Sequence, residues 1–339
     1  MKFKNVYIES MAYHRPDVFL SSEELEKKLS PVYERLRLPF GRLELSTGIK
    51  SRGYFENLRP SGISIAAGKK ALSQSKISKE NIDLLIHSSV CRDFLEPSTA
   101  SVVHAGLELK SGCSSFDLSN ACLGFLDAMK VAAAQIDSGL INNALIVTGE
   151  NSRPLIEKTI EFLNGNKGLT RKSIKKYFAN LTIGSAGVAF VMTSNPENAI
   201  GRFVGVENLS DTSASELCQG DGNTNELMME TDSEELLKAG IDLAKNCFQK
   251  FKDNILSDID HVVGHQVGVA HRNLLMKTLE IESIRDHVCY DRFGNTGSAA
   301  CPLTMALAFE NNQIKSGEKV AMLGIGSGLH TNMAGVQWL

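Results

Sequence analysis

The 339-residue chain is 42% hydrophobic, enough to fill one large core or two smaller ones, since single cores stop growing near about 250–300 residues. Its 36 basic and 39 acidic residues leave a formal charge of −3, so no net positive field holds a polyanion, and nucleic acid is excluded as the expected partner. Seven scattered cysteines, with no CxxC pair and no Cys/His cluster at ligand spacing, exclude a disulfide framework and a zinc site and point to a reducing, cytoplasmic setting.

The first residues, MKFKNVYIESMAYHRP, lack the apolar core of a signal peptide, and no apolar run approaches the ~18 residues of a membrane span. ISKENIDLLIHSSV (77–90) predicts a charged approach running into a short buried strand. FDLSNACLGFLDAMKVAAAQIDSGLINNALIVTG (116–149) predicts strand, polar loop, apolar helix, Ser-Gly turn and strand. The helix beginning near Ala121 reads as wholly apolar and so must be covered on every side. Residues 150–181 are charged and predict two helical pieces broken at Asn164–Gly168. They suit a solvated cap and a lid over a substrate tunnel equally well.

The first pattern then returns. ILSDIDHVVGHQV (255–267) echoes 77–90, and YDRFGNTGSAACPLTMALAFENNQIKSGEKVAMLGIG (290–326) echoes 116–149. Ala144 and Ala321 lie 177 residues apart, the offset that also relates the first pair of segments. The expectation is an internal duplication of α/β halves, 1–195 with its insertion at about 150–181, and 196–339. Alternating strands and helices imply mixed sheets, with a buried helix layer shared between the halves.

Three residues stand where such a fold gathers chemistry. Cys122, in SNACLGF, lies between a strand and the apolar helix, and free N–H groups at that helix start favour thiolate over thiol. The alternative is a small buried hydrophobe, the commoner use of cysteine. His265 ends the strand IDHVVGH at the position Ser88 holds in the first half, and Asn295 occupies the duplicated counterpart of the Cys122 loop. Strand ends are where α/β sheets place catalytic side chains. Cysteine, histidine and asparagine together supply a nucleophile, an imidazole and hydrogen-bond donors for oxyanions without a metal or cofactor.

These residues resemble the motifs of the β-ketoacyl synthase III and thiolase superfamily: Ala121-Cys122, His265-Gln266 and Gly294-Asn295-Thr296, in that order. Thr47-Gly48-Ile49, the pair Gly184 and Gly187, and Gly326-Ser327-Gly328-Leu329 extend the resemblance over nearly the whole chain. It implies the five-layered α-β-α-β-α thiolase fold, with Cys122 as nucleophile and the N–H groups of Cys122 and Ser327 as the oxyanion hole. GIGSGL alone suggests a dinucleotide fingerprint, but it lies too near the C-terminus to open a βαβ unit.

Within the superfamily, Leu95-Glu96-Pro97-Ser98-Thr99-Ala100 and Asn120-Ala121-Cys122-Leu123 are similar to the head-to-head acyl-CoA condensing enzymes of olefin biosynthesis. In that branch the glutamate reaches across from the partner subunit, which implies a homodimer and makes Glu96 the base for an α-proton. Malonyl substrates need no such base, because loss of carbon dioxide makes their carbanion. A carboxylate kept from water in an apolar tunnel has the raised pKa this task requires.

Two departures bear on the substrate. Synthases III hold the CoA adenine between a tryptophan and an arginine shortly before Thr-Gly-Ile. Arg42 and Ser46 stand in those places here, and the one tryptophan is Trp338. The carrier is therefore open between CoA and acyl-carrier protein. The histidine motif reads HQVG where the synthases have His-Gln-Ala-Asn. The reading expected is an acyltransferase that performs a non-decarboxylative Claisen condensation of two acyl thioesters, long-chain acyl-CoAs first among them. A decarboxylative synthase III is the second reading and a non-catalytic acyl-thioester scaffold the third.

Overall fold

The structure is a computed structural model and describes residues 1–221, 227–265 and 267–339. Gln266, half of the His-Gln pair, lies outside the described residues. The chain opens with β1 (Tyr7–His14) and β2 (Val18–Ser21). Helix α1 (Ser22–Lys28) begins at a reciprocal capping box, in which Ser21 takes the Glu24 N–H and the Glu24 side chain reaches back. Helices α2 (Ser30–Leu36) and α3 (Arg42–Thr47) lead to β3 (Ser51–Tyr54), which pairs antiparallel with β2.

Helix α4 (Pro60–Gln74) starts on a proline, tolerated where the N–H would be unpaired anyway. Then come β4 (Leu84–His87), α5 (Thr99–Leu107), β5 (Ser114–Asp117), α6 (Gly124–Asp137), β6 (Asn143–Glu150), α7 (Arg153–Gly165) and β7 (Ala186–Thr193). The rest of the chain supplies β8 (Gly201–Ser210), the small pair β9 (Cys218–Asp221) and β10 (Met228–Thr231), and the long α8 (Ser233–Asn254). It continues with β11 (His261–Gly264), α9 (Val269–Thr278), β12 (Arg285–His287), α10 (Tyr290–Phe293), α11 (Ala300–Glu310), β13 (Lys319–Gly326) and β14 (His330–Trp338).

Strand order exposes the duplication. The large sheet runs β12-β11-β13-β14-β8-β1-β7-β6-β4-β5. From its middle outward, β1-β7-β6-β4-β5 and β8-β14-β13-β11-β12 are one topology used twice, joined by the short pairing of Tyr7 with Arg202 and Ile8 with Gly201. The outer three strands of each half pair in parallel, and the two nearest the middle join by antiparallel pairings. Leu84 pairs with Ala144 and His261 with Val320. The structural counterpart of Ala144 is thus Val320, one residue short of the Ala321 that the repeat indicated.

Helices α6 and α11 pack between the two half-sheets, α4 and α5 cover the outer face of the first, and α8 and α9 that of the second. This is the five-layered arrangement. The shared layer is largely apolar: Phe125 is fully buried and meets Phe190 edge-on, ring centroids 5.0 Å apart. Emptying such a site costs about 3–5 kcal/mol. Strand β7 is buried along its whole length, as expected for a strand covered on both faces.

Helix α6 corrects one expectation, being neither wholly apolar nor wholly covered. Ala134 is exposed, and the Asp127 carboxylate accepts from Asn120 Nδ2 at 2.7 Å, Lys130 Nζ at 2.7 Å and Asn332 Nδ2 at 2.9 Å. A buried stripe of Phe125, Met129, Ala132 and Ile136 carries the packing, and α11 is the helix buried over most of its length. The insertion breaks close to where the sequence indicated, α7 ending at Gly165 before a 3₁₀ stretch at Ser173–Thr182. Its Ile156, Leu163 and Leu181 pack with Leu25 and Leu29 of the α1 region into a separate cluster. Among the described residues no helix is long and apolar enough to cross a membrane.

Candidate active site

The carboxyl ends of the parallel strands of both halves carry the residues singled out above. Cys122 sits in the turn between β5 and α6, preceded by Ala121 at φ 44°, a left-handed conformation that side chains seldom adopt. The Asn120–Asp127 hydrogen bond closes this turn onto α6. Burial pushes the Cys122 thiol up to about 12, and the neighbouring Glu150 and Cys218 add to the shift. This corrects the expectation of a thiolate. Helix α6 starts two residues beyond Cys122, and desolvation outweighs what its N-terminus offers, so the resting nucleophile is a thiol.

His265 leaves β11 with its N–H on the Leu323 carbonyl at 2.8 Å, just as Ser88 leaves β4 with its N–H on Val147 at 2.8 Å. The imidazole Nε2 lies 3.3 Å from Asn295 Oδ1. That oxygen also accepts the Gly297 N–H at 3.1 Å. A carbonyl oxygen only accepts, so this pairing assigns the proton to Nε2 and leaves Nδ1 without a partner among the described residues. Burial, helped by the nearby His271, lowers His265 to about 4, which makes it neutral at neutral pH.

The Asn295 backbone is pinned from both sides, its N–H on the Thr182 carbonyl at 2.9 Å and its carbonyl accepting the Gly184 N–H at 2.8 Å. A side chain at Gly184 would put its Cβ 1.7 Å from the Phe293 carbonyl oxygen. Only glycine allows the two segments to come this close. At Gly187 the crowding partner is Ile63 of α4, at 2.7 Å.

Ser327 follows β13, its hydroxyl donating to Cys218 Sγ at 3.2 Å. The end of β13 lies against the residue after the nucleophile, since a Cβ on Gly326 would stand 2.9 Å from Leu123 Cγ. Glu96 is elsewhere. It is exposed on the loop between β4 and α5 beside exposed Val90, Phe94 and Leu95, the last 94% accessible. Its carboxylate makes no hydrogen bond or ion pair among the described residues. One chain therefore brings Cys122, Ser327, His265 and Asn295 to neighbouring strand ends and leaves Glu96 outside. Arg42 lies 4.5 Å over the ring of Phe178, packed against the insertion.

The motifs passed over Glu150 and Ser298. Glu150 ends β6 almost fully buried, accepts the Val90 N–H at 2.9 Å and the Ser298 N–H at 3.1 Å, and lies beside the Cys122 thiol. A signal existed: NALIVTGE is an apolar strand that ends on a charge, and charges are not left buried at strand ends without partners. Cys218 gave no signal, because its neighbours Ser327 and Cys122 come from distant parts of the chain.

Comparison with known proteins agrees with this geometry. The family model described as 3-oxoacyl-[acyl-carrier-protein (ACP)] synthase III C terminal matches residues 253–338, and that of 3-oxoacyl-[acyl-carrier-protein (ACP)] synthase III matches residues 116–165. Two relatives named acyl-CoA:acyl-CoA alkyltransferase, from Xanthomonas campestris and Shewanella oneidensis, are 35% and 33% identical, each match covering 100% of both chains. The crystal structure of a cysteine-to-alanine variant of Xanthomonas campestris OleA superposes with a TM-score of 0.94 at 34% identity, covering 100% of this chain and 98% of that one. The same relative has been solved with substitutions at a glutamate and at a histidine. With strand order, helix layers and strand-end residues all in agreement, the chain belongs to the acyl-CoA:acyl-CoA alkyltransferase family of thiolase-fold enzymes.

Proposed function

We propose that the protein joins two acyl thioesters, long-chain acyl-CoAs, by non-decarboxylative Claisen condensation. The Cys122 sulfur attacks the first thioester, CoA leaves as its thiol, and the N–H groups of Cys122 and Ser327 hold the oxyanion. His265, neutral and protonated on Nε2, and the Asn295 amide hold the carbonyl oxygen of the second thioester. Glu96 of a partner copy takes its α-proton. The carbanion then attacks the acyl-Cys122 carbonyl, the C–S bond breaks, and a β-ketoacyl thioester leaves with Cys122 freed.

The single observation that carries this reading is the His265–Asn295 contact of 3.3 Å, which joins the end of β11 to the loop after α10. Whole-length similarity to proteins named for acyl-CoA:acyl-CoA alkyl transfer supports it. In the Xanthomonas OleA variants, the altered glutamate and cysteine are separated by as many residues as Glu96 and Cys122. The mechanism uses no cofactor. Free thiols at all seven cysteines suit a reducing, cytoplasmic setting.

The synthase III models keep a decarboxylative reading in view, and one assay separates the two. With simple acyl-CoA as the only substrate, a β-keto product forms and no carbon dioxide is released. A requirement for malonyl thioester, with labelled carbon dioxide evolved, would replace the proposal with the decarboxylative reading.

The proposal also requires a homodimer, since Glu96 is exposed in the single chain, on a loop with three exposed apolar side chains. Sedimentation is expected to give a dimer at assay concentration. An active monomer would exclude a base supplied by the partner.

A further inference from the structure

Beside the nucleophile lies a carboxylate that the proposed chemistry does not use. Glu150 is 4% exposed. Its Oε1 accepts the Val90 N–H at 2.9 Å and the Ser298 N–H at 3.1 Å, and its Oε2 the Cys91 N–H at 3.3 Å. Val90 and Cys91 begin the loop that carries Glu96, and Ser298 follows Asn295 by three residues. Gly297, at φ 57°, lies against the same carboxylate, where an added Cβ would stand 3.1 Å from Oε1.

Ser298 extends the junction. Its hydroxyl accepts the Phe125 N–H at 3.0 Å and donates to the Ser88 carbonyl at 2.9 Å. Phe125 belongs to the first turn of α6, directly behind Cys122, and Ser88 leads into the Glu96 loop. Two side chains from different halves thus bind the backbones of the three segments that carry Cys122, Asn295 and Glu96. Burying a carboxylate costs several kcal/mol even with good partners, so stability alone is a weak reason to keep one. Fixing three reactive segments at set separations is a stronger one, because a misplacement of about 1 Å can cost about a hundredfold in rate.

We propose that Glu150 and Ser298 are positioning residues for the condensation step, holding the loop of Glu96, the loop of Asn295 and the start of α6 in one fixed arrangement. This deepens the reading given above and rests on it. The carboxylate acts by reach. Aspartate keeps the charge but, one methylene shorter, cannot bridge Val90 and Ser298. Glutamine keeps the length but turns an amide donor toward backbone N–H groups.

The test measures Glu150→Gln and Glu150→Asp in the intact protein by three readouts. Acylation of Cys122 by a simple acyl-CoA, followed by intact mass, is expected within about threefold of wild type, because the attacking turn keeps its own Asn120–Asp127 bond. Condensation is expected to lose at least about tenfold in kcat with KM unchanged in both variants. Hydrogen exchange at the Val90, Cys91 and Ser298 amides is expected to quicken together.

A purely structural role would lower Tm and leave kcat per folded molecule intact, and that result overturns the proposal. So does full recovery of kcat in Glu150→Asp, which would make charge rather than reach the cause. Should the Glu150 variants fail to fold, Ser298→Ala examines the other arm with the carboxylate in place. The same kcat loss is expected there, and unchanged turnover overturns the proposal. Failure of the underlying function reads differently. Wild type would then not condense simple acyl-CoAs, while the coupled amide exchange in the variants would still report the junction.

Discussion

Glu96→Gln is expected to let Cys122 acylate and then stop, so that acyl-enzyme accumulates while carbon–carbon bond formation falls by about a hundredfold to ten-thousandfold, the usual contribution of a general base. The substitution keeps size and hydrogen-bonding capacity and removes only the ability to take a proton. Because Glu96 is exposed and makes no hydrogen bond or ion pair among the described residues of its own chain, its replacement is expected to change stability by no more than about 0.5 kcal/mol. A loss of activity then reports on chemistry. Product and covalent intermediate are measured in one reaction, first with simple acyl-CoA and then with malonyl thioester. Condensation of two simple acyl-CoAs at nearly the wild-type rate would defeat the assigned base. Selective rescue by malonyl thioester would show that the carbanion is what the variant cannot make.

Cys122→Ala is expected to abolish the acyl adduct outright, with the fold retained, since alanine fits the Ala121–Leu123 turn without adding atoms. A labelled acyl group persisting on the variant would sink the nucleophile. His265→Ala and Asn295→Ala are expected to divide the reaction differently. Each removes one donor to the second carbonyl, so acylation continues while condensation falls by about a hundredfold, the scale of a lost oxyanion donor. Their Nε2–Oδ1 contact makes the two donors one unit, and the double variant is expected to lose little beyond either single one. Equal mild losses in both half-reactions would contradict that division.

The raised pKa of Cys122 bears on both results. A thiol held near 12 by burial is not a free thiolate awaiting substrate, so its proton has to move as the acyl group arrives. Helix polarity alone suggested a thiolate, because sequence reveals where a helix starts but not how much solvent is stripped from the sulfur before it.

The sequence by itself determined the duplication and the fold class, because burial period, turn residues and strand ends are local properties repeated in order along the chain. It also marked Cys122 and His265, each beyond a strand, and Asn295, although the segment before Asn295 that the repeat indicated as a strand is the short helix α10. Tertiary structure alone decided what surrounds them. The one-residue slip that makes Val320 the counterpart of Ala144 depends on hydrogen-bond register, which composition does not carry. Glu150 and Ser298 meet across 148 residues of chain, and Gly184 must be glycine because Phe293 passes 1.7 Å from where its Cβ would be. Such contacts exist only once two halves share one helix layer, since burial and close approach belong to the packed molecule and to no segment of it.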